Sequence, residues 1–580
     1  MDHQHNILIL YATETGSAQH VADQIALQCR RIHIRHRVLS TDSYSLSELI
    51  SETIVLFVVA TTGSGAEPRT MSSMWNALLR SDLPTNLFED LCFAVFGLGD
   101  SAYEKFCWPA KKLSRRLQSL GAQELLARGE GDDQHLFGVD GALEPWLEAL
   151  LDVLLQTCPL PPNVSIVAET AVPAPRVSLR PCLTRHAYSP QTSPPSATVK
   201  SNHRITSKDW NQDVRHLEFE FHDDIHYRPG DIAVIRPKAP VSEVNAFLDR
   251  MGWLSDADVP FQIEHHMESL SLPSDLPQII TLRELFTEYL DLNAVPRRSF
   301  FRYLRHFTQD ELEREKLEEF LTSEGADELY EYCFRVRRTI AEVLADFRHV
   351  TIPRNYMFDV FPPLRPRRFS IASSVKAYPR QIHLCVAVVK YRTKLKVPRR
   401  GICSTYLASL TSGDRLQIAI QPGLLKLPVS EAPIICIGPG TGVAPMRSII
   451  QERECSAITN NTLYFGCRSA LHDQHYGGEW AACVARGTLT YRTAFSRDGP
   501  EGTARVYVQH ILQEDSEEIW RLLCAGATVF ISGSSNKMPA AVKQTLVATA
   551  EKHAGLSAQD ANEFISRMET EGKLIEECWS

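Results

Sequence analysis

Residues 7–18 read ILILYATETGSA, where the strand-forming run Ile7 to Tyr11 leads into a hydroxyl-rich loop, Thr13-Glu14-Thr15-Gly16-Ser17-Ala18. The same plan recurs twice. Ile54 to Ala60 leads into Ala60-Thr61-Thr62-Gly63-Ser64-Gly65, and Cys92 to Phe96 leads into Gly97-Leu98-Gly99-Asp100-Ser101-Ala102-Tyr103. Helix-like stretches, Ala18 to Arg30 and Trp108 to Leu120, follow the first and third. Apolar runs alternating with helices predict an open parallel α/β sheet. In such a sheet the loops after the strands converge at one edge, and the first of them sets amides and hydroxyls at a helix N-terminus, a seat for an isolated phosphate. A monophosphate with no lysine nearby suggests FMN.

The chain has 580 residues and a mass of 65.3 kDa, enough for about three or four domains. Its 44% hydrophobic and 23% charged residues exclude a collagen-like or largely disordered chain. A net charge of -9 is the opposite of what phosphate-backbone binding favours, so nucleic acid is excluded as a partner. Most of that negative excess lies in residues 1–156. Such a field either steers a basic partner surface or keeps the face solvated. The 14 cysteines form no CxxC pair, so neither a zinc site nor a redox dithiol is expected, and no metal is assigned. The N-terminus lacks a basic-then-apolar leader, and Ile54 to Ala60 is far short of the roughly 20 residues that cross a bilayer. These features predict a chain without a membrane anchor in a reducing, cytoplasmic compartment.

Nine prolines between Pro159 and Pro195 exclude helix and central strand there. The expected division is a doubly wound domain over 1–156, an extended semi-stiff linker over 157–198 and two further domains. From 199 to 430 β-rich runs (His216 to Phe221, Asp231 to Pro237, Gln381 to Tyr391) surround a charged helical stretch at about 241–355, which predicts a β-barrel with a helical insertion. From 431 to 580 apolar runs at Ile434 to Ile437, Thr462 to Phe465, Thr488 to Ala494 and Thr528 to Ser532 restore the α/β alternation.

TETGSA, ATTGSG and GLGDSAYEKFC resemble the FMN loops of the flavodoxin-like domain in diflavin reductases. The resemblance extends the third loop through Glu104, Lys105, Phe106 and Cys107, lays Tyr103 against the isoalloxazine ring and has Asp133 close the site. Thr62 stands where many relatives carry an aromatic residue, which implies a less covered, more polar flavin edge.

Arg365-Pro366-Arg367-Arg368-Phe369-Ser370 supplies guanidinium, aromatic ring and hydroxyl in one run, and Gly401-Ile402-Cys403-Ser404 opens a helix N-terminus. Together with Tyr227-Arg228-Pro229-Gly230-Asp231 they resemble the FAD domain of ferredoxin-NADP reductase relatives. By that resemblance Arg367, Arg368, Phe369, Ser370 and residues 401–404 hold FAD, Tyr391 lies near its adenine end and Arg337 contributes charge. Gly438-Pro439-Gly440-Thr441-Gly442 follows an apolar run as a dinucleotide loop does. Ser496, Arg497 and Arg505, the last opening Arg505-Val506-Tyr507-Val508-Gln509, offer two fixed charges and a hydroxyl suited to the 2′-phosphate of NADPH.

In diflavin reductases a C-terminal aromatic residue covers FAD, and an acidic residue two places earlier joins the hydride-transfer site. Trp579 and Glu577 occupy those places, with Ser370 as the hydroxyl partner, while Ser532 stands where relatives have cysteine. The resemblance implies a Rossmann-like NADPH domain and the electron route NADPH to FAD to FMN to a protein acceptor. The ATTGSG loop and the SGSSNKMP run look closest to the cytosolic branch that serves an anamorsin-like iron-sulfur protein, docking near the acidic FMN domain. Acceptors of the P450, sulfite reductase, nitric oxide synthase or methionine synthase type stay open, as does a flavin-free docking scaffold.

Overall fold

The computed structural model describes residues 6–63, 65–182, 194–267, 269–273, 275–428, 431–500, 502, 504–535 and 537–579. Ser64 and part of the proline-rich segment lie outside them. Two compact units emerge, one of described residues 6–182, 239–365 and 393–397, the other of 194–238, 366–392 and 398–579.

In the first unit, β1 (Asn6–Ala12), β2 (Arg35–Ser40), β3 (Ile54–Ala60), β4 (Cys92–Gly99) and β5 (Gln123–Glu124) form a parallel sheet in the order β2-β1-β3-β4-β5, with β6 (Gly129–Asp132) also on β4. The order reverses beside β1, so the loops after β1 and β3 open onto the switch-point crevice where doubly wound sheets take ligands. Both faces of the sheet are covered. Helix α1 (Ser17–Arg31) and the helix Asp140–Thr157 bury one side around Ile7, Ile9, Val58 and Phe96, and the helix Trp108–Ser119 buries the other around Leu8, Leu10, Phe57 and Val95.

The helical insertion is longer than the charged run implied. Its helices, from Val241–Arg250 to Met357–Val360, close over an aromatic core in which Phe247, Phe286 and Phe361 meet in tilted and edge-to-face pairs with ring centroids 4.6–5.3 Å apart. It packs within the first unit, where Met267 and Leu270 enter the core beside α1.

The linker expectation needs correction, because its described part is knitted into this unit rather than spanning open solvent. Val167 donates to Arg31 O at 3.1 Å, and Val177–Pro181 is an edge strand paired antiparallel with Phe261–His265. Prolines 175 and 181 bracket that strand without removing the donors inside it, and an edge position tolerates Pro181. Arg176 anchors the same segment, binding Asp359 at 2.8 Å and Asp23 of α1 at 3.6 Å.

The second unit begins with a six-stranded antiparallel sheet whose terminal strands, Arg367–Ser370 and Gln381–Ala387, are neighbours in sequence. Ala372 donates to His383 O at 2.8 Å, and the Tyr227 hydroxyl lies 2.9 Å from both Ser373 Oγ and Gln381 O, so the sheet curls shut as a barrel. A five-stranded parallel sheet follows, ordered Thr490–Phe495, Asn461–Cys467, Ile434–Ile437, Thr528–Ser534, Leu574–Trp579. Its reversal lies beside Ile434–Ile437, directly before the Gly438–Gly442 loop. Among the described residues no helix is long and apolar enough to cross a membrane.

Candidate functional site

The three N-terminal loops meet through backbone and hydroxyl bonds. Gly16, at φ 89°, turns the chain into α1, and its amide binds Thr13 Oγ1 at 2.8 Å. That left-handed angle carries no Cβ penalty only for glycine. Thr13 N donates to Thr70 Oγ1 at 3.0 Å, Arg69 N to Glu14 Oε1 at 2.7 Å and Thr61 N to Leu98 O at 2.9 Å, which ties the first and third loops to the second. Thr62 is turned back on its own loop, bonding Ala66 O through amide and hydroxyl. In the third loop Ala102 N binds Asp100 Oδ1 at 2.8 Å, while Tyr103 is half-buried and Glu104 and Lys105 are exposed. Ala18, Leu98 and Cys107 point into the core, so their contribution to the crevice is backbone. Asp133 N binds Gly99 O at 2.9 Å, and burial, the largest effect on it, raises its carboxyl pKa.

Asp132, which the sequence reading passed over in favour of its neighbour, organises this loop by accepting from Ser101 N at 2.9 Å and Gln134 N at 3.0 Å. The Gly-Asp-Asp run signalled an acid here without saying which of the two faces the loop.

In the second unit Phe369 and Ser370 lie on the barrel strand opposite Ala233 and Ile232, and Arg368 Nε reaches Gln421 at 3.3 Å. Ser404 Oγ, at the start of the helix Ile402–Ser409, receives Val389 N at 3.0 Å, which folds the Lys390–Arg392 hairpin and the exposed Tyr391 back towards Gly401. Cys403 faces the barrel core, where burial pushes its thiol up to about 12. Arg337 lies in the first unit, exposed, at φ 53°. A repeated-arginine run carries no signal for which of its members faces a ligand.

The chain end is a strand, not a frayed terminus. Leu574–Trp579 pairs parallel with Thr528–Ser534, placing Glu577 opposite Ser532 and Trp579 opposite Ser534. The Ser370 hydroxyl donates to Glu577 Oε1 at 2.7 Å, joining the barrel strand to this edge of the parallel sheet. Ser532 Oγ is fully buried and has no hydrogen-bond partner among the described residues. Trp579 remains 40% exposed. Cys578 has its thiol pushed up to about 12, mainly by burial, so it stays neutral.

Helix Val443–Cys455, leaving the glycine loop, is stapled to the chain just after Ser370. Arg447 donates to Ala372 O and Ser448 Oγ to Ser373 O, both at 2.6 Å, and Ser374 N donates to Gln451 at 3.2 Å. No motif announced these residues; the signal was a helix face whose polar positions are buried. A Cβ on Gly442 would lie 2.1 Å from Ser532 O, so the glycine lets the loop touch the strand bearing the unpartnered hydroxyl. On the far side of the sheet Ser496 N binds Cys467 O at 3.0 Å and Arg497 N binds Arg468 O at 2.8 Å, while Arg497, Arg505, Val506 and Tyr507 are exposed. Val508 is core, and Gln509 follows it on the helix Val508–Glu514.

Comparison with known proteins finds the flavodoxin family over residues 9–146, an FAD binding domain over 189–406 and an oxidoreductase NAD-binding domain over 436–544. Along its whole length the chain is 40% identical to NADPH-dependent diflavin oxidoreductase 1 of Xenopus laevis, with 100% of both chains covered. The corresponding protein of Bos taurus is 39% identical and that of Schizosaccharomyces pombe 37% identical, each with 99% of both chains covered. The chain belongs to the NADPH-dependent diflavin oxidoreductase family.

FMN, FAD and NADPH are therefore its cofactors, and the residues present suit them. The Gly16 turn directs the first amides of α1 to the end of the loop, as a phosphate needs. The barrel strand ends in the hydroxyl and ring of Ser370 and Phe369, beside a helix start at Gly401 for a pyrophosphate. The buried hydroxyl of Ser532, without a partner beside Glu577, is a polar group awaiting one, which a nicotinamide carboxamide would supply.

Proposed function

We propose that this diflavin oxidoreductase passes electrons from NADPH through FAD and then FMN to an anamorsin-like iron-sulfur protein in cytosolic iron-sulfur assembly. The observation that carries this reading is the full-length likeness to diflavin oxidoreductase 1 proteins, with the flavodoxin, FAD and NAD parts in the same order. The acidic character of residues 1–156, which favours a basic docking surface, and the ATTGSG and SGSSNKMP runs support it.

When bound, NADPH supplies a hydride and the flavins supply the step from paired to single electrons. The chain's residues orient and shield. Ser370 and Glu577 hold a hydrogen-bonded pair at the hydride end, with Trp579 as the ring that yields to nicotinamide. Arg497, Arg505 and Ser496 select the 2′-phosphate, and the loops at Thr13–Ala18, Ala60–Gly63 and Leu98–Cys107 hold the second flavin.

Two measurements test this. Replacing Arg497 with Ala is expected to weaken NADPH by about 10-fold to 100-fold, the range for one charge-assisted hydrogen bond, with NADH little changed. Equal losses for both nucleotides would move the 2′-phosphate site elsewhere. For the acceptor, protein reduced anaerobically by NADPH is mixed with an oxidised anamorsin-like iron-sulfur protein in a stopped-flow cell. Rapid flavin reoxidation is the expected result; flavins that stay reduced would leave the diflavin chemistry standing and reject this acceptor.

A further inference from the structure

Arg365 opens the Arg365–Ser370 run that resembles an FAD strand, yet its side chain lies on the first flavodoxin loop, 350 residues away in sequence. Its guanidinium donates to Thr15 O at 2.5 Å and Gly16 O at 2.7 Å, with Ser17 Oγ at 3.4 Å. It is the last residue of the first unit, so this contact lies within one compact body.

Three physical consequences follow from that placement. Two carbonyls of the turn are satisfied by one rigid fork, which holds Gly16 at φ 89° and so fixes where the first amides of α1 aim. The donation into Ser17 Oγ occupies a lone pair of the hydroxyl and leaves its proton for an anion. A permanent positive charge also stands beside the positive end of the α1 dipole. The half-buried His20, one turn into α1, registers that charge: burial first, then Arg297, Arg365 and Arg176, hold its imidazole well below its usual pKa. On the opposing side Glu14 is occupied by Arg69, whose amide it accepts and whose guanidinium lies 3.9 Å away.

We propose that Arg365 is a positioning residue for the FMN phosphate, shaping the Thr15–Ser17 turn and adding the fixed charge by which this chain prefers FMN over unphosphorylated riboflavin. The proposal rests on the assignment of FMN to the flavodoxin-like domain. It leaves the FAD residues read from this run, Arg367 to Ser370, as they stand. A flavodoxin loop with no lysine or arginine among its own residues 13–18 thereby obtains one from the far end of the insertion.

The test is flavin binding to full-length protein depleted of FMN, followed by quenching of flavin fluorescence on titration with FMN or with riboflavin. Arg365→Met is expected to weaken FMN by about tenfold or more while riboflavin changes less than about twofold, because only FMN carries the phosphate. Arg365→Lys, which keeps the charge but loses the fork, is expected to fall between, and wild-type affinity for FMN is expected to decline with salt more steeply than that of Arg365→Met. A matching urea midpoint shows that the variants are folded. Equal losses for FMN and riboflavin, or no loss in either variant, would overturn the proposal while leaving the FMN site intact. Wild-type protein that binds neither flavin would overturn the cofactor assignment together with it.

Discussion

Glu577→Gln is expected to lower the rate of NADPH-driven flavin bleaching in anaerobic rapid mixing by about 100-fold, with FAD content and NADP+ affinity near wild type. The expectation comes from charge rather than shape. A carboxylate at the hydride end would stabilise the positive charge that hydride loss leaves on a bound nicotinamide, and deleting one such preorganised contact costs on the order of 10²–10³ in rate. Glu577 is only 9% exposed and is held by Ser370 Oγ at 2.7 Å and by its register opposite Ser532. Glutamine keeps the volume and can still accept from Ser370, so the variant isolates the charge. A bleaching rate within twofold of wild type would remove Glu577 from the hydride site.

The second large effect is on stability. Arg176→Met is expected to destabilise the first unit by about 3–5 kcal/mol, the cost of stranding buried charge after its partner is removed. Arg176 lies between two carboxylates, Asp359 at 2.8 Å and Asp23 at 3.6 Å, and the Asp359 side chain is 1% exposed. Urea denaturation of the holoprotein, with hydrogen exchange of α1 as the local probe, measures the loss. A midpoint equal to wild type would show that the triad carries no net energy.

The same site sets a pH dependence. Burial raises Asp23 to about 6, outweighing Arg176 and the Ser271 hydrogen bonds, which lower it. A carboxyl whose folded pKa exceeds its unfolded value near 4 contributes stability fully present below pH 4 and lost as pH rises through 6. Asp23→Asn therefore flattens the stability curve between those limits, and an unchanged curve would place the titration on another group.

Much of the fold was legible because the strands that face helices on both sides must be continuously apolar. Ile7–Tyr11, Ile54–Ala60, Cys92–Phe96 and Ile434–Ile437 announced themselves in this way. Arg35–Ser40 did not, since a polar edge strand written RHRVLS has no such pattern, and neither did the terminal strand, whose LIEECW carries two adjacent glutamates in its middle. The loops that follow apolar strands were equally readable, because glycine and hydroxyl residues at a strand end have few other uses.

The sequence by itself determined the order of the three cofactor domains and where the loops after their apolar strands lie, for those properties reside in contiguous residues with local chemistry. Tertiary structure alone decided that the Arg365 guanidinium lies on the Thr15–Gly16 turn, that the Asp132 carboxylate braces the third loop, that Arg447 and Ser448 staple the glycine-loop helix to the chain after Ser370, and that the proline-rich segment is anchored through Arg176. Each of these is a long-range pairing of a side chain with a backbone group or a buried charge. Arginine, aspartate and serine have the same local propensities wherever they point, so only the closed fold, by burying particular carbonyls and carboxylates, selects which of them is held in place.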